Sequence, residues 1–163
     1  MDTPLQIVSL ITALGCALNG GVFFAFSSFV MKGLARLHPA QAIAAMQSIN
    51  VAAVTPAFMT ALFGTAVGCV IVTAWAMVEW HASVGPYLLA AGGLYLLGTL
   101  GLTIVVHVPR NNRLATIRPD RAGRAEATLA WSGFLSEWTA FNHVRAATAF
   151  AAGLALILAL VAS

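Results

Sequence analysis

The octapeptide from Trp138 to Arg145, W-T-A-F-N-H-V-R, carries side chains that could perform acid–base chemistry beside a long apolar segment. Asn, His and Arg are costly to place in lipid, so they usually face a bundle interior or a water-filled cavity. Trp and Arg also anchor helices at membrane interfaces, but anchoring does not explain the adjacent Asn142 and His143. We therefore interpret this octapeptide as a candidate site.

Proton transfer is the chemistry that these residue types favour. His143 is predicted as the general base, because an imidazole accepts a proton near neutral pH. His107 is a second candidate, and a buried structural role is the alternative for both. Asn142 and Asn111 carry amide N–H groups that can stabilise a developing oxyanion, with helix capping as their alternative role.

Helical spacing refines the candidate site. On a helix Trp138, Asn142 and Arg145 share one face, at i, i+4 and i+7. His143 follows Asn142 by one residue, which turns it about 100° away. Arg145 is predicted either to bind an anionic ligand or to extend toward the headgroups.

The composition predicts an integral membrane protein. Hydrophobic residues make up 60% of the 163 residues and charged residues only 8%, against about 25% charged in soluble domains. The net charge of +3 does not indicate nucleic-acid binding, because the basic residues lie at membrane boundaries.

Four apolar segments predict an all-α, four-helix membrane bundle with a single domain over residues 1–163. Each has about 22 residues or more, enough to cross a hydrocarbon core of roughly 30 Å, and a lipid-exposed open sheet is excluded. The predicted spans cover about residues 4–31, 56–78, 86–108 and 139–161.

The positions of the basic residues predict the orientation. All eight Lys and Arg residues lie in or beside the first and third connections. The positive-inside rule then puts these connections in the cytoplasm and both termini outside. We expect the membrane to be a bacterial cytoplasmic membrane.

The two basic connections each predict a short helix on the cytoplasmic side. One is opened by Pro39 and ends near Asn50, with an apolar stripe of Ile43, Met46 and Ile49. The other runs from Pro119 to Glu137. With these helices the topology brings polar groups from distant segments to one end of the bundle: Gln47, Asn50, His107, Asn111 and the octapeptide.

Four motifs carry a resemblance to a known family. They are F-A-F-S-S-F-V-M (Phe24–Met31), A-M-Q-S-I-N (Ala45–Asn50), V-P-R-N (Val108–Asn111) and W-T-A-F-N-H-V-R. With them the chain resembles the anthrone oxygenase-like family of small four-span membrane proteins over nearly its whole length. Family members often have N-V-P-L-N, whereas this chain has H-V-P-R-N, and so departs at His107 and Arg110.

The resemblance implies a membrane-embedded, cofactor-independent oxygenase that oxidises a hydrophobic aromatic or polyketide-type substrate with O₂. His143 would be the base, and Asn142, Asn111 or Asn50 would stabilise the phenolate-like oxygen. Trp138 and Phe141 would stack on flat rings. The remaining predicted substrate-binding residues are Gln47, His107 and Arg145.

Other functions stay open at this point. No metal ligand set is expected, although a metal or haem held by His107 and His143 is not excluded. The expected partners are a hydrophobic small molecule and the lipid bilayer, without nucleic acid, and a homo-oligomer stays open. The alternative functions are a non-catalytic small-molecule or lipid-binding protein and a structural subunit of a membrane complex.

Overall fold

The computed structural model describes residues 1–163, and the chain is helical without strands. Four of its helices are long and apolar enough to cross a membrane, which confirms the predicted all-α, four-span fold. The helices are α1 (Thr3–Leu34), α2 (Pro39–Ala52), α3 (Pro56–Val78), α4 (Gly85–Ala115) and α5 (Arg124–Val161).

The four long helices form a bundle in which α1 packs on α3 and α5, and α4 also packs on α3 and α5. The short helix α2 lies across one end, against the first half of α5 and the last turns of α4. We call this the α2 end. Helix α2 buries Ala42, Ile43 and Met46, in agreement with the predicted apolar stripe.

Helices α3 and α4 separate toward the α2 end. They pack together along the part of α4 from Gly85 to Gly101. The following part of α4, residues 103–115, does not pack closely against α3. The first half of α3 and the second half of α4 therefore leave space between them, and α2 and α5 close this space from other sides.

Helix α4 extends beyond the predicted end of its span at residue 108. It continues through Pro109 to Ala115. The segment Thr103–His107, which ends two residues before the proline, is π-helical. A widened turn of this kind relieves the clash and the missing N–H that a proline introduces into a regular helix, so the helix need not end there.

Helix α5 also differs from the prediction, because the expected separate helix from Pro119 to Glu137 is not observed. One helix of 38 residues runs from Arg124 to Val161. No proline interrupts this stretch, so the backbone hydrogen bonds between residues four apart continue past Glu137 into the predicted span. The first half of α5 buries a row of aromatic residues at i, i+3 and i+7: Trp131, Phe134 and Trp138.

Candidate functional site

A cavity of about 390 Å³ lies at the α2 end, and all five helices contribute to its wall. The wall is mainly apolar and rich in aromatic rings, with a few polar groups, as is usual for small-molecule sites. The apolar part consists of Val22, Phe23, Phe26, Ile49, Ala53, Val54, Phe58, Met59, Leu62, Val108 and Trp138. The polar part consists of Asn50, Thr55, Thr103, His107, Asn111 and Arg145.

His107 belongs to the wall of this cavity and carries a buried ring nitrogen without a hydrogen-bond partner. Its Nδ1 lies 3.1 Å from the carbonyl oxygen of Leu102. A carbonyl oxygen only accepts, so Nδ1 carries the proton and Nε2 of the neutral ring carries the lone pair. Nε2 is buried and makes no hydrogen bond within the protein. The π-helical turn that carries His107 thus places a buried, unpartnered proton acceptor in the wall of the cavity.

Trp138 is the centre of the aromatic wall. Its ring meets His107 edge to face, with centroids 5.1 Å apart and planes at 86°, and it also packs against Phe26 and Phe134. The indole Nε1 donates to Oδ1 of Asn111 at 3.0 Å. This bond fixes the amide of Asn111, whose NH₂ group remains available to a ligand.

Arg145 is the only charged side chain in the wall, and it is 6% exposed. Its guanidinium carbon lies 3.8 Å from the ring centroid of Phe23 and 5.4 Å from that of Trp138. Nε and Nη2 donate to Oδ1 of Asn142 at 3.1 and 2.6 Å, and Nη1 donates to Oγ1 of Thr103 at 3.3 Å. Neutral groups therefore orient this cation.

Asn142 lies behind Arg145 and is fully buried, outside the cavity wall. Its Nδ2 donates to the carbonyl of Phe23 at 2.7 Å and to Oγ of Ser27 at 2.5 Å. The residue thus connects α1 to the guanidinium of Arg145 and holds it in position. A role as direct oxyanion donor does not fit this arrangement, because both amide groups are already occupied.

The structure brings five of the nine predicted site residues into the cavity wall: Asn50, His107, Asn111, Trp138 and Arg145. His143 is not among them. It is exposed on the outer side of α5 and lines a separate groove with Lys32, Ser28 and Thr139. Because α5 is a continuous helix at this point, His143 is rotated about 100° around the helix axis from Asn142. This rotation turns His143 away from the cavity.

Two further predicted residues lie outside the cavity. Phe141 is 37% exposed. Its ring packs against the guanidinium of Arg110, whose carbon lies 5.1 Å from the ring centroid. Gln47 donates to the carbonyls of Leu114 and Ile117 at 2.8 and 3.0 Å. Gln47 therefore attaches α2 to the end of α4 and supports the cavity indirectly.

Several cavity residues escaped the sequence-based prediction. Phe23 and Phe58 are ordinary apolar residues of spans, and no local signal distinguishes them from lipid-facing ones. Thr103 offered a signal, as a hydroxyl inside an apolar segment near His107. Its contact with Arg145 nevertheless depends on how α4 and α5 pack.

Clustered metal ligands are not observed in the chain. No group of three or more His, Cys, Asp or Glu residues lies close enough together to hold a metal ion. His107 and His143, the two residues considered for a haem, lie on different surfaces.

The chain was compared with models of known protein families. The sequence model described as Anthrone oxygenase matches residues 53–155, which is more than half of the chain. The matched part contains α3 and α4 in whole and α5 in part, including the octapeptide of α5. No curated protein and no solved structure matches the chain.

Proposed function

Since the chain belongs to the anthrone oxygenase family, we propose that it oxidises a flat, hydrophobic aromatic ketone of the anthrone type with O₂, without a cofactor. The observation that carries the proposal is the buried, unpartnered Nε2 of His107, a residue in the wall of an aromatic cavity. An acceptor with a free lone pair beside a bound ring system is suited to remove a weakly acidic C–H proton.

The substrate itself supplies the electrons in this reaction. His107 Nε2 takes one proton from the CH₂ group opposite the ketone, leaving an electron-rich carbanion. The carbanion gives one electron to O₂, and the two radicals combine through a new C–O bond. The resulting peroxide anion takes up the proton from His107.

A second proton transfer completes the reaction. His107 removes the remaining proton from the same carbon, the C=O bond forms and the O–O bond breaks. The leaving hydroxide takes up the proton and becomes water. The CH₂ group and O₂ have then become C=O and H₂O, so atoms and electrons balance and no external reductant is consumed.

Other cavity groups support the same chemistry. The free NH₂ of Asn111 can donate a hydrogen bond to the substrate oxygen as negative charge develops there. The rings of Trp138, Phe23 and Phe26 line the cavity and would pack against a flat substrate. The space between α3 and α4 suits access from the bilayer, where a hydrophobic substrate would be concentrated.

Oxygen uptake by the purified protein tests this proposal. Detergent-purified, chelator-treated protein is given emodin anthrone, and O₂ consumption and the quinone product are measured together. We expect one O₂ consumed per quinone formed, at a rate above the spontaneous background. His107→Ala should lower the enzymatic rate by roughly 10²–10⁴-fold, the usual contribution of a general base.

His143→Ala is the matched control, because it removes the same side chain from the same end of the bundle but outside the cavity. We expect it to retain the rate. A loss in His143→Ala together with full activity in His107→Ala would contradict the assignment of the base. No uptake above background by the unmodified protein would contradict oxygenase activity toward anthrones.

The second candidate function is non-catalytic binding of a hydrophobic small molecule. The predominantly apolar wall of the cavity favours it. Under this alternative an anthrone would bind and protect the protein against thermal unfolding, but the rate of its oxidation would equal the spontaneous rate with every variant.

A further inference from the structure

Arg145 is a buried cation without an anionic partner in the protein. The only ion pairs are Arg110 with Glu137 and Arg121 with Asp120. Burying a charge is very unfavourable unless it is paired, and more so within a membrane-spanning helix. The charge of Arg145 is therefore available to a ligand in the cavity.

The guanidinium is also oriented and incompletely hydrogen-bonded. Asn142 and Thr103 accept from three of its N–H groups, out of the five that an Arg carries. Phe23 covers one face of the group at 3.8 Å. Two N–H groups remain without a partner in the protein, on a side chain that lines the cavity.

Attraction between this cation and a negative oxygen is strong in such a place, because an apolar wall screens charges much less than water does. The neutral partners around Arg145 hold the group without cancelling its charge. A flat aromatic molecule fits the rest of the wall, and an ionised oxygen on that molecule supplies the missing anion.

We propose that the cavity binds its ligand as an anion, specifically an aromatic oxygen acid in its ionised form, such as a phenolate or enolate, paired with Arg145. The inference rests on the proposed function and deepens it. In the oxygenase reaction Arg145 holds the charge that appears on the substrate oxygen when His107 takes the proton. This favours the electron-rich anion that O₂ attacks.

A comparison of two ligands that do not undergo the oxidation tests the inference by binding alone. Anthracene-9-carboxylate and anthracene-9-carboxamide have nearly the same shape, and only the first is charged at neutral pH. Their affinities are measured by isothermal titration in a neutral detergent. We expect the unmodified protein to bind the carboxylate at least tenfold more tightly than the carboxamide.

Variants of Arg145 locate the source of the preference. In Arg145→Gln we expect the ratio of the two affinities to fall close to one. Arg145→Lys, which keeps the charge, should retain part of the preference and also guards against misfolding of the Gln variant. Arg110→Gln removes an equal charge from the same end but outside the cavity, so the ratio should be unchanged.

Equal affinities of the unmodified protein for the two ligands would overturn the inference, whether or not any variant folds. An unchanged preference in Arg145→Gln would also overturn it. The outcome is independent of turnover. A preference for the anion without O₂ uptake would contradict the proposed oxygenase activity and support the anion site. O₂ uptake without a preference for the anion would contradict the anion site and support the oxygenase activity.

Discussion

The indole nitrogen of Trp138 donates a 3.0 Å hydrogen bond to Oδ1 of Asn111. This bond joins α5 to the last turns of α4 across the wall of the cavity. It also determines the orientation of the Asn111 amide, because a donor can only face the oxygen. The NH₂ group is thereby left as a donor to the ligand.

Asn111→Asp is expected to separate the two functions of this amide. A carboxylate still accepts from Trp138, so the thermal unfolding temperature should change little. It has no N–H to donate, and the rate of anthrone oxidation should fall by about 10²-fold, as after loss of one oxyanion donor. Asn112→Asp adds the same charge at an exposed neighbour and should retain the rate. Equal losses in both variants would show a general charge effect.

Asn142→Asp is expected to abolish the preference of the cavity for anions. The new carboxylate would face the guanidinium, which now donates to Oδ1 of Asn142 at 2.6 Å, and would supply the counter-charge internally. Asn142→Ala removes the support of the guanidinium without adding charge, so Arg145 stays uncompensated and part of the preference should remain. The measurement is the affinity ratio of anthracene-9-carboxylate to its carboxamide. If the affinity ratio falls equally in both variants, the preference depends on the position of the Arg145 side chain and not on its uncompensated charge.

Met59→Trp is expected to narrow the cavity between α3 and α4. Met59 lines the cavity and is partly exposed, so an indole there would occupy space that the ligand needs. Binding of anthracene-9-carboxylate should weaken about tenfold, equivalent to about 1.4 kcal/mol. Met77→Trp makes the same change at a residue of α3 that is 73% exposed and should leave the affinity unchanged. Unchanged affinity in Met59→Trp would contradict ligand binding in this cavity.

Gly68→Ala is expected to destabilise the bundle. A Cβ at Gly68 would overlap Oγ1 of Thr12 on α1 and lie 3.1 Å from Cβ and Cγ2 of the same residue, so Thr12 would have to shift or α1 and α3 would have to move apart. We expect a loss of about 1–3 kcal/mol, as for other overpacked sites. Gly64→Ala, one turn earlier with no neighbour within 4 Å of the added carbon, should be nearly neutral. Thermal unfolding in detergent measures both. Equal stabilities would contradict close packing of these helices.

The resemblance noted in the sequence agrees with the family match, because the match includes V-P-R-N and the octapeptide of α5. His107 carries a buried ring nitrogen without a hydrogen-bond partner. Arg110 forms an ion pair with Glu137, with 2.9 Å between Nη2 and Oε2, outside the cavity.

The sequence by itself determined the features that depend on composition and length. Apolar segments long enough to cross a bilayer specify four helices, since no other backbone arrangement in these segments satisfies its hydrogen bonds in lipid. The i, i+4, i+7 spacing put Trp138, Asn142 and Arg145 on one face of α5, because this spacing follows from helix geometry alone, and the structure shows that this face is buried.

Tertiary structure decided which polar residues meet. Sequence reasoning favoured His143 over His107 as the base, because His143 lies beside the most distinctive residues. Only the packing of α5 against α1 and α4 shows that His143 is exposed and that His107 lines the cavity together with Arg145. A local pattern specifies the relative angles of side chains around one helix. The rotation of that helix within the bundle is set by the side chains of all its neighbours together, and these come from distant parts of the chain.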